Sequence, residues 1–150
     1  MGLEDVLEKS RLIALDASIF IEKSAKYFNF LDKLFIKSKL QAGLLKITTS
    51  IITLIEVLTK PLAENQEELA NKYRDILLNS SNTYILELNN DIAEKSAILK
   101  SKYKFLKTPD AIQLATAIYS NSDLFLSNDK KLQNLNEINV VILDQLLINK

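Results

Sequence analysis

The sequence predicts an α/β sandwich in which short buried strands alternate with helices around a mainly parallel sheet. Three observations carry this expectation. Leu12-Ile13-Ala14-Leu15 is a continuous apolar run, the mark of a strand covered on both faces. Further short strand candidates recur along the chain with helical segments between them, the pattern of crossover units. Only two Gly and two Pro occur in 150 residues, which argues against a disordered or loop-rich chain.

Taken in order, residues 1–10 read as a short amphipathic helix with Leu3, Val6 and Leu7 on one side. After the first strand, residues 17–42 read as helical and concentrate the aromatics Tyr27, Phe28, Phe30 and Phe35, with Gly43 as the stop. Lys46–Thr49 is a short strand. Ser50 caps a helix whose apolar positions Ile51, Leu54, Ile55 and Leu58 follow the i, i+3, i+4, i+7 pattern, and Pro61 is expected to end it. Residues 64–79 form a more polar amphipathic helix carrying Leu69, Tyr73, Ile76 and Leu77, followed by the loop Ser80-Ser81-Asn82. Tyr84–Leu88 is a third strand. Asp91 with Glu94 resembles a capping box that opens a Lys-rich helix to about Tyr103. Thr108-Pro109-Asp110 starts a mostly apolar helix through Tyr119: a cap, a proline at the first position, then an acid at the positive helix end. Leu124–Leu126 and Val140–Leu143 are the fourth and fifth strands. No repeat, low-complexity tract or linker interrupts the chain, so residues 1–150 are expected to form a single domain.

Composition narrows the chemistry. Zero Cys removes disulfides, thiol nucleophiles and thiolate zinc sites, and zero His removes Ser-His triads and imidazole ligands. What remains for a metal is oxygen ligation, which suits Mg²⁺ or Mn²⁺. Net charge is zero, with 19 basic and 19 acidic residues, so an anionic polymer must be held by a local patch and a metal. The apolar stretch Leu12–Ile21 is too short for a membrane span and carries Asp16 in its middle. The start, MGLEDVLEKSR, is too acidic and amphipathic for a signal peptide, and a cytoplasmic location is expected.

Against that background, Asp16, Glu56, Asp110 and Asp129 stand out. Sites in open parallel sheets form outside the carboxyl ends of strands. Asp16 ends its strand, and Asp129 follows Leu124–Leu126 by a Ser-Asn turn; Asp110 lies in the first turn of one helix and Glu56 in the second turn of another. With parallel strands these positions converge on one rim. Clustered carboxylates repel, and a bound hard cation relieves the conflict while generating a hydroxide and stabilising phosphoryl charge. Each acid also has a plainer explanation. Glu56 is four residues before Lys60, the spacing of a surface helix pair. Asp110 suits a helix N-terminus, and Asp129 suits a turn. Asp16 is the hardest to dismiss, because a carboxylate ending a buried strand costs stability unless it is hydrogen-bonded or liganded. Asp91, Asp123 and Asp144 are read as structural.

In their order, the segments LDASIFI, TSIITLIEVL, KTPDAIQLATAI and FLSNDKKL resemble the PIN-domain nucleases. Closest in kind are the VapC-type toxin ribonucleases of bacterial and archaeal toxin–antitoxin pairs, over roughly residues 11–145. The resemblance implies a three-layer α/β/α fold with a central parallel sheet of about five strands, and Mg²⁺- or Mn²⁺-dependent cleavage of RNA phosphodiester bonds. Asp16, Glu56, Asp110 and Asp129 match the family's four acids in order. Ser18 and Ser127 stand where the family often has Asn and Thr, and are read as residues that orient Asp16 and its neighbours. The arginine common shortly before the third acid is absent; the nearest bases are Lys104 and Lys107. With only Arg11 and Arg74 in the chain, substrate grip falls to Lys104, Lys107 and Lys130, then to Lys95, Lys100, Lys102 and Lys131, unless these form a solvated helix face. The resemblance further implies an RNA substrate, a small antitoxin that blocks the acidic cleft, and a homodimer, for which segments 24–36 and 64–79 offer surfaces. The alternatives are a catalytically silent subunit that keeps the fold and a PIN nuclease of RNA processing outside any toxin–antitoxin pair. A phosphatase with an Asp nucleophile fits less well, since position 18 is Ser where that chemistry wants a second Asp. DNA as substrate stays open, because carboxylate-held metals do not read the 2′-hydroxyl.

Overall fold

Leu12-Ile13-Ala14-Leu15 forms the central strand, β1 (Leu12–Leu15), as its unbroken apolar character requires. In the computed structural model, which describes residues 2–21 and 43–148, it is joined by β2 (Lys46–Ser50), β3 (Thr83–Leu86), β4 (Leu124–Ser127) and β5 (Val140–Ile142). All pairings are parallel and the order is β3-β2-β1-β4-β5. The chain winds outward from β1 to β3, then returns to place β4 and β5 on the other side. β1 and β4 are therefore the neighbours between which the winding reverses, the point where open parallel sheets form clefts.

Period-two alternation divides the core between the two faces of the sheet. Ile13 and Leu15 of β1, with Leu124 and Leu126 of β4, join a cluster containing Val6, Leu7, Ile19, Phe20, Val57, Tyr73 and Leu77. These come from α1 (Leu3–Lys9), α2 (Ala17–Ile21), α3 (Ile51–Ala63) and α4 (Glu67–Asn79). Ala14 and Phe125 point the other way, into a cluster with Ile92, Leu99, Ile112, Leu114 and Ala115 from α5 (Asn90–Lys102) and α6 (Thr108–Tyr119). Helices thus cover both faces, giving the three-layer α/β/α sandwich. Every residue of α6 from Ala111 to Ala117 is buried, as expected of a mostly apolar helix that lies between a sheet and another helix. A 3₁₀ turn (Lys130–Asn134) and a last helix, α7 (Leu143–Ile148), complete the described chain.

Several boundaries differ from the sequence reading, each for a local reason. Pro61 does not end α3; it sits in the last turn, and Glu64 N–H to Lys60 O (3.0 Å) carries the helix to Ala63. The buried stripe of α3 is Thr53, Val57 and Pro61, whereas Ile55 is 61% exposed. α4 starts only at Glu67, after Asn65 in the left-handed region (φ 56°). The third strand is Thr83–Leu86, and Leu143 opens α7 instead of ending β5. Asn89, not Asp91, caps α5, accepting from Ile92 N–H at 2.8 Å. Lys107 is the N-cap residue of α6, and Thr108 is already helical, its hydroxyl taken by Lys100 Nζ at 2.6 Å. Asp123 does more than occupy a loop: its Oδ2 accepts from the N–H groups of Arg11 (2.7 Å) and Leu12 (3.0 Å), anchoring the start of β1. Of the helix expected over 17–42, Ala17–Ile21 is described; its aromatics and segment 24–36 lie outside the described residues. Gly43 adopts φ +91°, the left-handed conformation expected of it. Among the described residues no helix is long and apolar enough to cross a membrane.

Candidate active site

Asp16 follows the last residue of β1 directly, so the strand delivers its carboxylate to the cleft end of the sheet while the backbone stays in the ladder. Its N–H still donates to Leu126 O at 2.9 Å. The residue is only 6% exposed. Two hydroxyls meet it: Ser18 Oγ and Ser127 Oγ each donate to Oδ2 at 2.8 Å. Each hydroxyl also accepts a backbone N–H from the loop beyond β4, Ser18 from Asn128 (3.1 Å) and Ser127 from Asp129 (3.0 Å). The loop that carries Asp129 is thereby fastened to Asp16. Asn128 holds that loop from the other side, its Oδ1 accepting Asp144 N–H at 3.1 Å. Asp129 caps the 3₁₀ turn by accepting Lys131 N–H (3.1 Å), so its expected turn role is real and coexists with its place in the cleft.

The other two acids arrive on helices. Glu56 is in the second turn of α3, which Ser50 caps at the end of β2 (Ile52 N–H to Ser50 Oγ, 3.1 Å). Asp110 is in the first turn of α6. Asp16, Ser18, Ile21, Glu56, Asp110 and Asp129 together line one open cleft of about 250 Å³. No Glu56–Lys60 ion pair forms, so the surface-pair reading of Glu56 is set aside.

The electrostatics are those of crowded like charges. Burial raises the Asp16 pKa; the Ser18 and Ser127 hydroxyls and the Ala17 N–H oppose the rise, and Asp129 adds to it. Burial, then the charges of Asp16 and Asp110, raise Glu56. Burial, then Asp16 and Asp129, raise Asp110, while the Lys107 backbone and side chain pull it down. Each of these three acids feels the charge of at least one other acid of the cleft, and none of the described residues lining the cleft is cationic. An all-oxygen donor set of four crowded carboxylates fits a hard divalent ion. Among the described residues no group of three or more acids already converges on one point, as expected of carboxylates left to repel one another.

Loss of one clamp hydroxyl has a direct cost. Ser127→Ala leaves the Asp129 N–H and one side of Asp16 without their partner. Hydrogen bonds to charged groups contribute about 1.5–3 kcal/mol, so the melting temperature should fall by roughly 3–12 °C. A thermal melt checks this; an unchanged midpoint would mean that the hydroxyl is dispensable.

The basic residues separate into two groups. Lys107 lies within electrostatic reach of Asp110, and Lys104 and Lys130 are exposed without lining the cleft. Lys100 is engaged with Thr108, and Lys102 with Glu137 (3.5 Å) and the Tyr103 ring. Most apolar residues of segment 64–79 turn inward: Tyr73 and Leu77 are core, with Leu69 and Ile76 packed against it, whereas Leu78 is exposed. Sequence reasoning also missed a buried polar chain of Gln113, Thr53 and Thr49 close to the acids. Its only sequence signal is that Thr53 and Gln113 occupy positions whose immediate neighbours are apolar.

A family model of the PIN domain matches residues 13–138. The fold resembles that in the crystal structure of VapBC2 from Rickettsia felis bound to a DNA fragment from their promoter, with a TM-score of 0.66 and 19% identity, covering 87% of this chain and 98% of that one. It also resembles a chain of a toxin–antitoxin complex from Klebsiella pneumoniae, with a TM-score of 0.61 and 28% identity, covering 86% and 95%. No curated protein matches the chain. The family model spans most of the chain, on a fold shared with these structures and with the acids gathered at its topological reversal: the chain belongs to the PIN domain family, a family of nucleases.

Proposed function

We propose that this PIN domain is a metal-dependent endoribonuclease and the toxin of a toxin–antitoxin pair. The observation that carries this reading is the gathering of Asp16, Glu56, Asp110 and Asp129 around one cleft, with Asp16 buried beneath two hydroxyl donors. A divalent ion, Mg²⁺ or Mn²⁺, bound by these acids would supply Lewis acidity and a water of lowered pKa. The chain's own residues do the rest. Ser18 and Ser127 fix the orientation of Asp16, because both hydroxyl protons are committed to Oδ2. Asp110 brings the positive end of the 12-residue helix α6 toward the cleft, where an RNA phosphate is favoured. The four acids repel that same phosphate without the ion, so substrate binding and metal binding are linked.

The loop leading into α6 gives the RNA a path. Lys104 and Lys107 are exposed, and Phe105 between them is 48% exposed, a ring on which an unpaired base can stack. Lys130 extends the basic side next to Asp129. Phe105→Ala, and Lys104→Ala with Lys107→Ala, should raise KM about tenfold with kcat little changed, as expected from base stacking of about 1–3 kcal/mol. A fall in kcat at constant KM would place these residues elsewhere in the reaction.

The resemblance to toxin–antitoxin complexes supports a small antitoxin that covers the acidic cleft, and the reading includes a homodimer acting in the cytoplasm as one domain. The silent-subunit alternative is disfavoured because all four acids face one cleft. The test is digestion of a broad RNA panel, with single-stranded DNA in parallel, in Mg²⁺, Mn²⁺ and chelator. Metal-dependent endonucleolytic cleavage of RNA alone is expected. Cleavage that survives chelation, or none in either metal across the panel, would sink the proposal.

A further inference from the structure

Three buried polar side chains form a single line of hydrogen bonds beneath the acids. Gln113 Nε2 donates to Thr53 Oγ1 (2.7 Å), Thr53 and Thr49 hydroxyls are 2.6 Å apart, and Thr49 Oγ1 donates to Leu15 O (2.7 Å). Gln113 is 2% exposed, Thr49 1% and Thr53 0%. The direction of every bond is determined. A carbonyl only accepts, so the Thr49 proton goes to Leu15; Thr53 must then donate to Thr49 and accept from Gln113. Neither hydroxyl is free to rotate.

Each end and the middle of this line lies next to an acid. Gln113 is three residues after Asp110 and Thr53 three before Glu56, so each shares a helix face with its acid, about 4.5 Å along the axis. The Leu15 carbonyl belongs to the peptide unit whose N–H is that of Asp16. That N–H is held by Leu126 O at 2.9 Å, so the Thr49 hydroxyl pins the other side of the same peptide. The paired register of β1 with β2 ends at Ala14–Thr48, and the Thr49 side chain takes over where the backbone ladder stops. The line therefore spans α6, α3 and β1, the elements that carry three of the four acids.

We infer that Gln113, Thr53 and Thr49 are positioning residues that set the spacing of Asp110, Glu56 and Asp16, and through it the affinity of the site for a divalent ion. The inference rests on the proposed metal-dependent chemistry for its functional consequence, but the positioning itself is a property of the chain alone. Three polar groups buried in an apolar layer are costly unless all are satisfied, and here they span the gap between two helices of opposite layers. An apolar contact at the same place would hold those helices together without fixing the distance between the acids.

The test separates positioning from stability. Thr53→Val alone strands Gln113 Nε2 and should lower the melting temperature. Thr53→Val combined with Gln113→Met removes both partners in matched volume, so most of that loss should return. If the line positions the acids, Mn²⁺ affinity of the stable double variant, measured by calorimetry, stays about 10–100-fold below that of the parent protein, the range typical of residues that orient ligands. kcat falls with it, while Thr53→Ser, which keeps the hydroxyl, retains both. A crystal structure of the metal-free double variant gives the Glu56–Asp110 separation directly and should differ from that of the parent. A double variant with parental Mn²⁺ affinity overturns the inference, as does an unchanged Glu56–Asp110 separation. If the parent itself neither binds Mn²⁺ nor cleaves RNA, the proposed function fails, and the crystallographic separation still decides the positioning.

Discussion

Asp16→Asn is expected to abolish cleavage and, in the same molecule, to raise the stability of the metal-free protein. The two effects have one origin. Burial and the charge of Asp129 work against the Asp16 carboxylate, and the two Ser hydroxyls only partly offset them. Asparagine keeps an oxygen to accept from Ser18 and Ser127 but removes the charge. Its neighbours Glu56 and Asp110, both raised in part by Asp16, gain as well. A stabilisation of about 1 kcal/mol, or about 2–4 °C in Tm, is the scale typical of relieving one such conflict in a chain of this size. Catalysis moves the other way, because a cation that stabilises phosphoryl charge contributes several kcal/mol, so the rate should fall about 10³-fold or more. Thermal melts in chelator and an RNA digest of the same preparation check both. A variant that is inactive and also less stable would point to a structural role for the charge; one that is fully active would remove Asp16 from the chemistry.

Mn²⁺ should stabilise the protein, and more so at neutral than at acidic pH. Asp16, Glu56 and Asp110 all have pKa values raised above 3.8 for Asp and 4.5 for Glu. The folded protein therefore holds protons at pH values where the unfolded chain has released them. Their contribution to stability declines as pH rises from the ordinary carboxylate range through the raised folded values, and it is least favourable above them. Without metal, the stability gap between Asp16→Asn and the parent should widen as the pH rises from about 5 to about 7.5. A bound cation removes the repulsion and competes with those protons. At about 100-fold excess over its dissociation constant it contributes about 2.7 kcal/mol, or about 5–11 °C. Melting curves at several pH values, with and without Mn²⁺, give the slope and its sign. A shift that is independent of pH, or that persists in a variant with both Asp16→Asn and Asp110→Asn, would place the ion outside this cleft.

How much of this was legible in the sequence depends on which physical rule governed each element. β1 was plain because a strand covered on both faces has to be apolar throughout, and Asp16 was conspicuous as the carboxylate that ends it. α6 announced itself through Pro109 near its start, and the four acids could be ordered from strand ends and helix starts alone. α3 was read less well because ITLIEVL is apolar on most sides. Periodicity could not choose between Ile55 and Val57, and the choice fell to tertiary packing, which buries Val57 and leaves Ile55 in solvent. Pro61 misled because a proline removes only its own N–H from the ladder, and Glu64 N–H still reaches Lys60 O beyond it. Gln113 and Thr53 were illegible because a buried polar residue is favourable only through its partner, here 60 positions away in sequence.

The double attachment of the two serines has a consequence for how the cleft is put together. Both hydroxyls receive an N–H from the Asn128-Asp129 loop and pass their own proton to Asp16. The last acid is thus mounted on the first, and the pair is assembled in series. A chain that folds β1 and α2 correctly but fails to dock β4 would present Asp16 with no counterpart, and a chain that loses the Asp16 side chain would release the anchorage of Asp129 as well. Completion of the cleft is in this way a report that the two halves of the sheet have met.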